Sequence, residues 1–142
     1  MSKAKFYNRE ENQHHLITCL AIIKHLRTKH NKHPLREWVV FYDHEDRITS
    51  ISYEVTREQK ERNERYKCPD IIWQDEMGTW VLEVDGVVHW DKSNKTEKRD
   101  NFYKSNNVNY IVINIYEFKP TREEAVYRPL ESILREVDEK IS

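Results

Sequence analysis

Glycine and proline are scarce in this 142-residue chain, at two and four residues, which excludes low-complexity and linker-rich architectures. Cysteine is as sparse. Cys19 and Cys68 are too few for a disulfide framework, and they form no metal-ligand spacing. No apolar run is long enough to cross a membrane, and the N-terminus lacks the apolar core of a secretion signal. The expectation is a soluble, intracellular (cytoplasmic) protein. A basic excess is missing too. Lys and Arg number 24 against 25 Asp and Glu, a formal net charge of −1. That argues against a coat protein held on nucleic acid by charge alone. It leaves room for a nuclease, because acids in a metal site cancel lysines in the sum while a local basic face survives.

What is present is charge and aromatic bulk. Hydrophobic residues make up 37% and charged residues 35%, so the core must be compact and the surface heavily charged. The length suits one domain spanning 1–142. Leu16, Leu20, Ile23 and Leu26 recur at helical spacing and predict a helix over 8–30, with Asn8 and Glu11 as a capping pair. Strands follow at 38–42 and 48–55 around the polar turn 43–46. The stretch 56–67 is almost all charged and fits either a solvated helix or a loop. A helix over 92–107, an apolar strand over 108–115 and a closing helix over 123–141 complete the chain. The order α-β-β-β-α-β-α predicts an α/β domain with a central mixed sheet flanked by helices.

The chemistry concentrates between residues 70 and 89. The runs Ile71-Ile72-Trp73 and Trp80-Val81-Leu82 flank Asp75-Glu76-Met77-Gly78, which reads as a hairpin. Alternation along the second strand points Glu83 and Asp85 one way and Val84 into the core. Counting back from the turn sets Asp70 across from them. Three like charges at one spot repel until cations or protons neutralise them. Oxygen donors of this kind suit Mg²⁺ or Mn²⁺.

Asp70 followed by Glu83-Val84-Asp85-Gly86-Val87-Val88-His89, a basic helix and an apolar strand resembles the PD-(D/E)xK nuclease superfamily. The nearer likeness is the very-short-patch-repair-like branch, whose catalytic strand reads Glu-x-Asp-Gly-x-x-His. Its following helix is patterned Asp-x-x-Arg-x-x-x-Leu-x-x-x-Gly. Here Arg99 stands at the Arg position, Tyr103 at the Leu position and Asn107 at the Gly position. The likeness covers roughly residues 66–118. There are two departures. Thr96 replaces the helix Asp, and Asp85 occupies the place where the superfamily usually has Lys.

The resemblance implies a restriction-endonuclease-like core and a Mg²⁺- or Mn²⁺-dependent endonuclease cutting DNA, with RNA a less favoured substrate. Asp70, Glu83, Asp85 and the main-chain carbonyl of Val84 would hold the metal, and Asp85 and His89 would handle protons or phosphate. Lys95, Lys98, Arg99 and Lys104 would meet the backbone of the nucleic acid. A single site per chain suits a homodimer or two successive nicks. Two alternatives stay open: a structure-selective resolvase for branched DNA, and an inactive nucleic-acid-binding or assembly module on the same fold. Elsewhere, Glu10, Glu11, His14 and His15 could add a ligand, although an exposed polar face is the plainer expectation. Cys68 reads as a packed residue. His25, His30, His33 and His44 show no spacing that demands zinc.

Overall fold

The structure, a computed structural model, describes residues 2–86, 94–119 and 124–142, with side chains described for 13–86, 96–117 and 126–142. In chain order the elements are α1 (Ser2–His30), β1 (Val39–Tyr42), β2 (Ile48–Ser52), α2 (Arg57–Glu61), β3 (Arg65–Lys67), β4 (Ile71–Asp75), β5 (Gly78–Asp85), α3 (Asn94–Ser105), β6 (Asn109–Asn114), β7 (Tyr116–Lys119), β8 (Glu124–Tyr127) and α4 (Leu130–Ile141). The class is α/β. A mixed sheet has the order β4-β5-β6, β4 antiparallel and β6 parallel to β5. Two antiparallel sheets accompany it, β2-β1-β3 and β7-β8. No helix among the described residues is long and apolar enough to cross a membrane.

Local chemistry explains the central hairpin. Asp75 pairs with Gly78, leaving Glu76 and Met77 at the tip. Gly78 takes φ +111°, where a side chain would be strained. Asp75 Oδ1 accepts from the Met77 amide at 2.8 Å and the Trp80 indole at 2.9 Å, and Lys32 Nζ meets Oδ2 at 2.8 Å. Opposite strands carry Trp73 and Trp80, which stack at 5.5 Å.

Period-two alternation gives the mixed sheet two apolar faces. Ile71, Trp73, Leu82, Val84, Ile111 and Ile113 pack against Cys19, Ile22, Ile23 and Leu26 of α1 and Ile133 and Val137 of α4. On the other face Ile72 and Val81 meet Val40 of β1 and Phe102 and Tyr103 of α3. Ile133 is fully enclosed. Ile133→Ala should therefore cost about 2–4 kcal/mol in urea unfolding, from lost transfer energy and an unfilled cavity.

Several sequence expectations need correction. The first helix begins at Ser2, not at residue 8, and its buried stripe is Cys19, Ile22, Ile23 and Leu26, while Leu16 and Leu20 are exposed. Apolar residues lie on more than one face of α1, so spacing alone left its rotation open. The charged stretch 56–67 holds both a helix and a strand. Thr56 and Gln59 form a reciprocal capping box on α2, and β3 adds to the edge of β1. The closing helix starts at Leu130, not 123, because residues 124–127 form β8. Pro129 disfavours helical geometry in the residue before it, so the helix begins after it. Among the described residues the strands number more than the α-β-β-β-α-β-α order allowed, and they divide among three sheets instead of one.

Candidate metal centre

β5 carries the acids to its C-terminal end, between α1 and α3. Glu83 and Asp85 share the face of Val81, turned toward α3, and both are buried. The Asp70 amide donates to Glu83 Oε1 at 2.8 Å, and the Val84 amide donates to Asp70 Oδ2 at 2.7 Å. Each carboxylate thus accepts from a backbone amide of the opposite segment, Glu83 from Asp70 and Asp70 from Val84. The Ile115 amide donates to the Asp85 carbonyl at 3.0 Å, so the Asp85 edge of β5 faces the parallel neighbour. Alternation then turns the amide and carbonyl of Val84 to the opposite edge, the side on which Asp70 sits.

Arg99, from α3, reaches into this cluster. Its Nη1 and Nη2 grip the two oxygens of Asp85 at 2.8 and 2.9 Å, and Nη1 lies 3.5 Å from Glu83 Oε2. Nε donates to the Tyr110 hydroxyl at 2.8 Å, and that hydroxyl donates to Asp100 Oδ1 at 2.6 Å. Burial works against the charged guanidinium, but the Asp85 carboxylate more than offsets it, so Arg99 stays a cation. Arg99 thus lies among the acids, away from Lys98 and Lys104, which are exposed on α3. The side chain of Lys95 and all of His89 lie outside the described residues.

Electrostatics mark Glu83. Burial pushes its carboxyl up to about 8, the Asp70 charge acts in the same direction, and the Asp70 amide and Arg99 oppose them. A cation bound beside Glu83 would favour its ionised form again.

α1 contributes His15, one of the residues that could add a ligand, although an exposed polar face was the plainer expectation there. His15 Nε2 lies 3.3 Å from Asp70 Oδ2, and His15 Nδ1 lies 3.9 Å from Cys19 Sγ. The hydrogen bond to Asp70 pushes the imidazole up to about 10, aided by Cys19 and opposed by burial. Its neighbour His14 instead packs on Tyr127, ring centroids 3.5 Å apart. Cys68, read from the sequence as packed, is instead exposed, and desolvation of its thiol followed by the Glu83 charge raises it, which disfavours the thiolate. The Tyr110–Asp100 support of Arg99 was also missed, its one sequence signal being the adjacency of Arg99 and Asp100.

His15 predicts a pH signature. Its folded value near 10 exceeds the ordinary 6.5, so its stabilisation is complete below 6.5 and is lost as pH rises through about 10. The thermal midpoint of wild type should exceed that of His15→Gln most at the acidic end of that window, and the gap should close at the alkaline end. A gap independent of pH would remove the imidazolium–Asp70 pairing.

The donors suit a hard divalent cation. Asp70 and Glu83 would supply carboxylate oxygens and Val84 a carbonyl on the Asp70 side, while His15, held as an imidazolium against Asp70, has no lone pair to give an ion. Asp85 was expected to join them, but both of its oxygens engage Arg99. Comparison with family models, curated proteins and solved structures finds no match to this chain.

Proposed function

We propose that the chain is a Mg²⁺- or Mn²⁺-dependent endonuclease acting on DNA, built on a restriction-endonuclease-like core. The observation that carries the reading is the convergence of Asp70 and Glu83 at the strand ends, with Glu83 buried and pushed up to about 8. Also in support, a crossing helix links two parallel strands immediately after the acids. Asp70, Glu83 and the Val84 carbonyl would hold the ion. When bound, it supplies an acidified water and withdraws charge from the phosphate oxygens.

The protein's own residues divide the remaining work. Arg99 neutralises Asp85, the acid that stands where the superfamily usually has a lysine, and so supplies the site's positive charge from α3. It also keeps a positive charge beside the site as negative charge builds on phosphate. His15 sets the position and charge of Asp70, and in its imidazolium form it can donate a proton or contact phosphate. Lys98 and Lys104 form the exposed basic side of α3 that phosphates would meet. On this reading Lys95 makes a phosphate contact from the basic helix, and His89 has a proton or phosphate role from the motif.

The test is cleavage of plasmid, single-stranded and branched DNA by the purified protein with EDTA, Mg²⁺ or Mn²⁺, beside Glu83→Ala. Metal-dependent cutting that vanishes in the variant supports the reading. The bidentate closure of Asp85 by Arg99 favours a second reading, a nucleic-acid-binding module on the same scaffold. Folded wild type that shifts DNA on a gel yet cuts nothing in any metal selects that alternative.

A further inference from the structure

A second cluster joins the C-terminal end of α1 to α4, using none of the residues above. His25 Nε2 and His30 Nε2 lie 2.7 and 2.6 Å from the same atom, Oδ1 of Asp138. Lys29 Nζ takes the other oxygen, Oδ2, at 2.6 Å. The two imidazoles meet edge to face, 5.6 Å between centroids and 71° between planes. All three ligand atoms lie within 4.8 Å of one another. Each of the three side chains is roughly a fifth exposed, so an ion can reach them from solvent.

We propose that His25, His30 and Asp138 form a transition-metal site of Zn²⁺ type, with solvent as fourth ligand, that ties the end of α1 to α4. Two ring nitrogens aimed at one carboxylate oxygen exceed what a simple ion pair needs. Bonds of about 2.0–2.1 Å at tetrahedral angles set ligand atoms about 3.3 Å apart, so the nitrogens must withdraw from Oδ1 by only roughly 0.6 Å. Each imidazole would move its proton to Nδ1 and present the Nε2 lone pair. Lys29 would keep Oδ2 engaged, leaving Asp138 to bind through one oxygen. Two imidazoles among three ligands favour Zn²⁺ over Mg²⁺. This separates the site from the hard-cation centre at Asp70 and Glu83. Binding only the folded state, the ion should raise the thermal midpoint by mass action.

The experiment is calorimetric titration of the full chain with ZnCl₂, beside thermal melts with and without Zn²⁺. The variants are His25→Gln, His30→Gln, Asp138→Asn and, as the opposite control, Asp70→Asn, each checked by circular dichroism. Wild type should show a Zn²⁺ equivalent that Asp70→Asn retains. Each of the other three variants should weaken it by at least about tenfold and lose the Zn²⁺-dependent rise in midpoint. If Asp138→Asn fails to fold, the two histidine variants decide. No Zn²⁺ binding to wild type, binding indifferent to both histidine variants, or binding lost in Asp70→Asn instead overturns the site and leaves a hydrogen-bonded clamp.

Discussion

Replacing Glu83 with Gln is expected to abolish cleavage and, in the same variant, to make the protein more stable at alkaline pH. Glu83 is buried against Asp70, and its carboxyl is pushed from 4.5 up to about 8. An unfolded chain ionises this group near 4.5, so between 4.5 and about 8 the folded state holds a proton that the unfolded state has released. Stability therefore falls as pH rises across that window and stays low above it. A tenfold displacement of a proton equilibrium is worth about 1.4 kcal/mol, so the burden at alkaline pH is a few kcal/mol. Glutamine removes the charge, keeps a carbonyl oxygen for the Asp70 amide, and should flatten the pH profile of the urea midpoint. Adding Mg²⁺ or Mn²⁺ should restore much of the lost stability to wild type and nothing to the variant. Cleavage should drop by at least about 10³-fold, because the ion supplies several kcal/mol of transition-state stabilisation. A variant neither more stable nor less active would remove Glu83 from both roles.

Arg99→Ala carries the second large effect, and it is on folding. The guanidinium holds both oxygens of Asp85, which is 3% exposed, and lies near Glu83. Deleting it leaves a buried carboxylate without its counter-charge beside two other acids. Breaking such a pair from one side costs about 3–5 kcal/mol. Arg99→Lys should recover only part of the loss, since one ammonium cannot reproduce the two parallel bonds. Arg99→Leu combined with Asp85→Leu should be far less harmful than the sum of the two single changes, because the charges then leave together. Urea unfolding of the four proteins closes the cycle. If Arg99 served as an outward phosphate contact, Arg99→Ala would leave stability within about 0.5 kcal/mol and weaken only DNA binding.

These two residues also show how far the sequence can be read. Glu83 and Asp85 could be assigned to one face, with Val84 opposite, because alternation along a strand is a local rule that the turn at Gly78 anchors in register. Asp70 fell across from them by the same count. Arg99 was recognisable from its position in a motif, but its partner was not. α3 could have turned Arg99 outward with Lys98 and Lys104. Packing of Phe102 and Tyr103 under the sheet sets its rotation and carries Arg99 toward the acids. Tyr110 and Asp100 then brace it from two elements.

The helix α1 shows the same division. Its helical character follows from spacing, yet Leu16 and Leu20 lie exposed while Cys19 and Ile22 are buried. That rotation brings His15 to Asp70, 55 positions away along the chain, and His25 and His30 to Asp138 on α4. Alternation, turn chemistry and capping act between residues a few positions apart, so the sequence by itself determined the hairpin, the acids on its second strand and the α3–β6 unit that follows. Pairings between α1 and β4, α3 and β5, or α1 and α4 depend on which apolar face each helix buries. That choice is settled when the core closes, and only the tertiary structure made it.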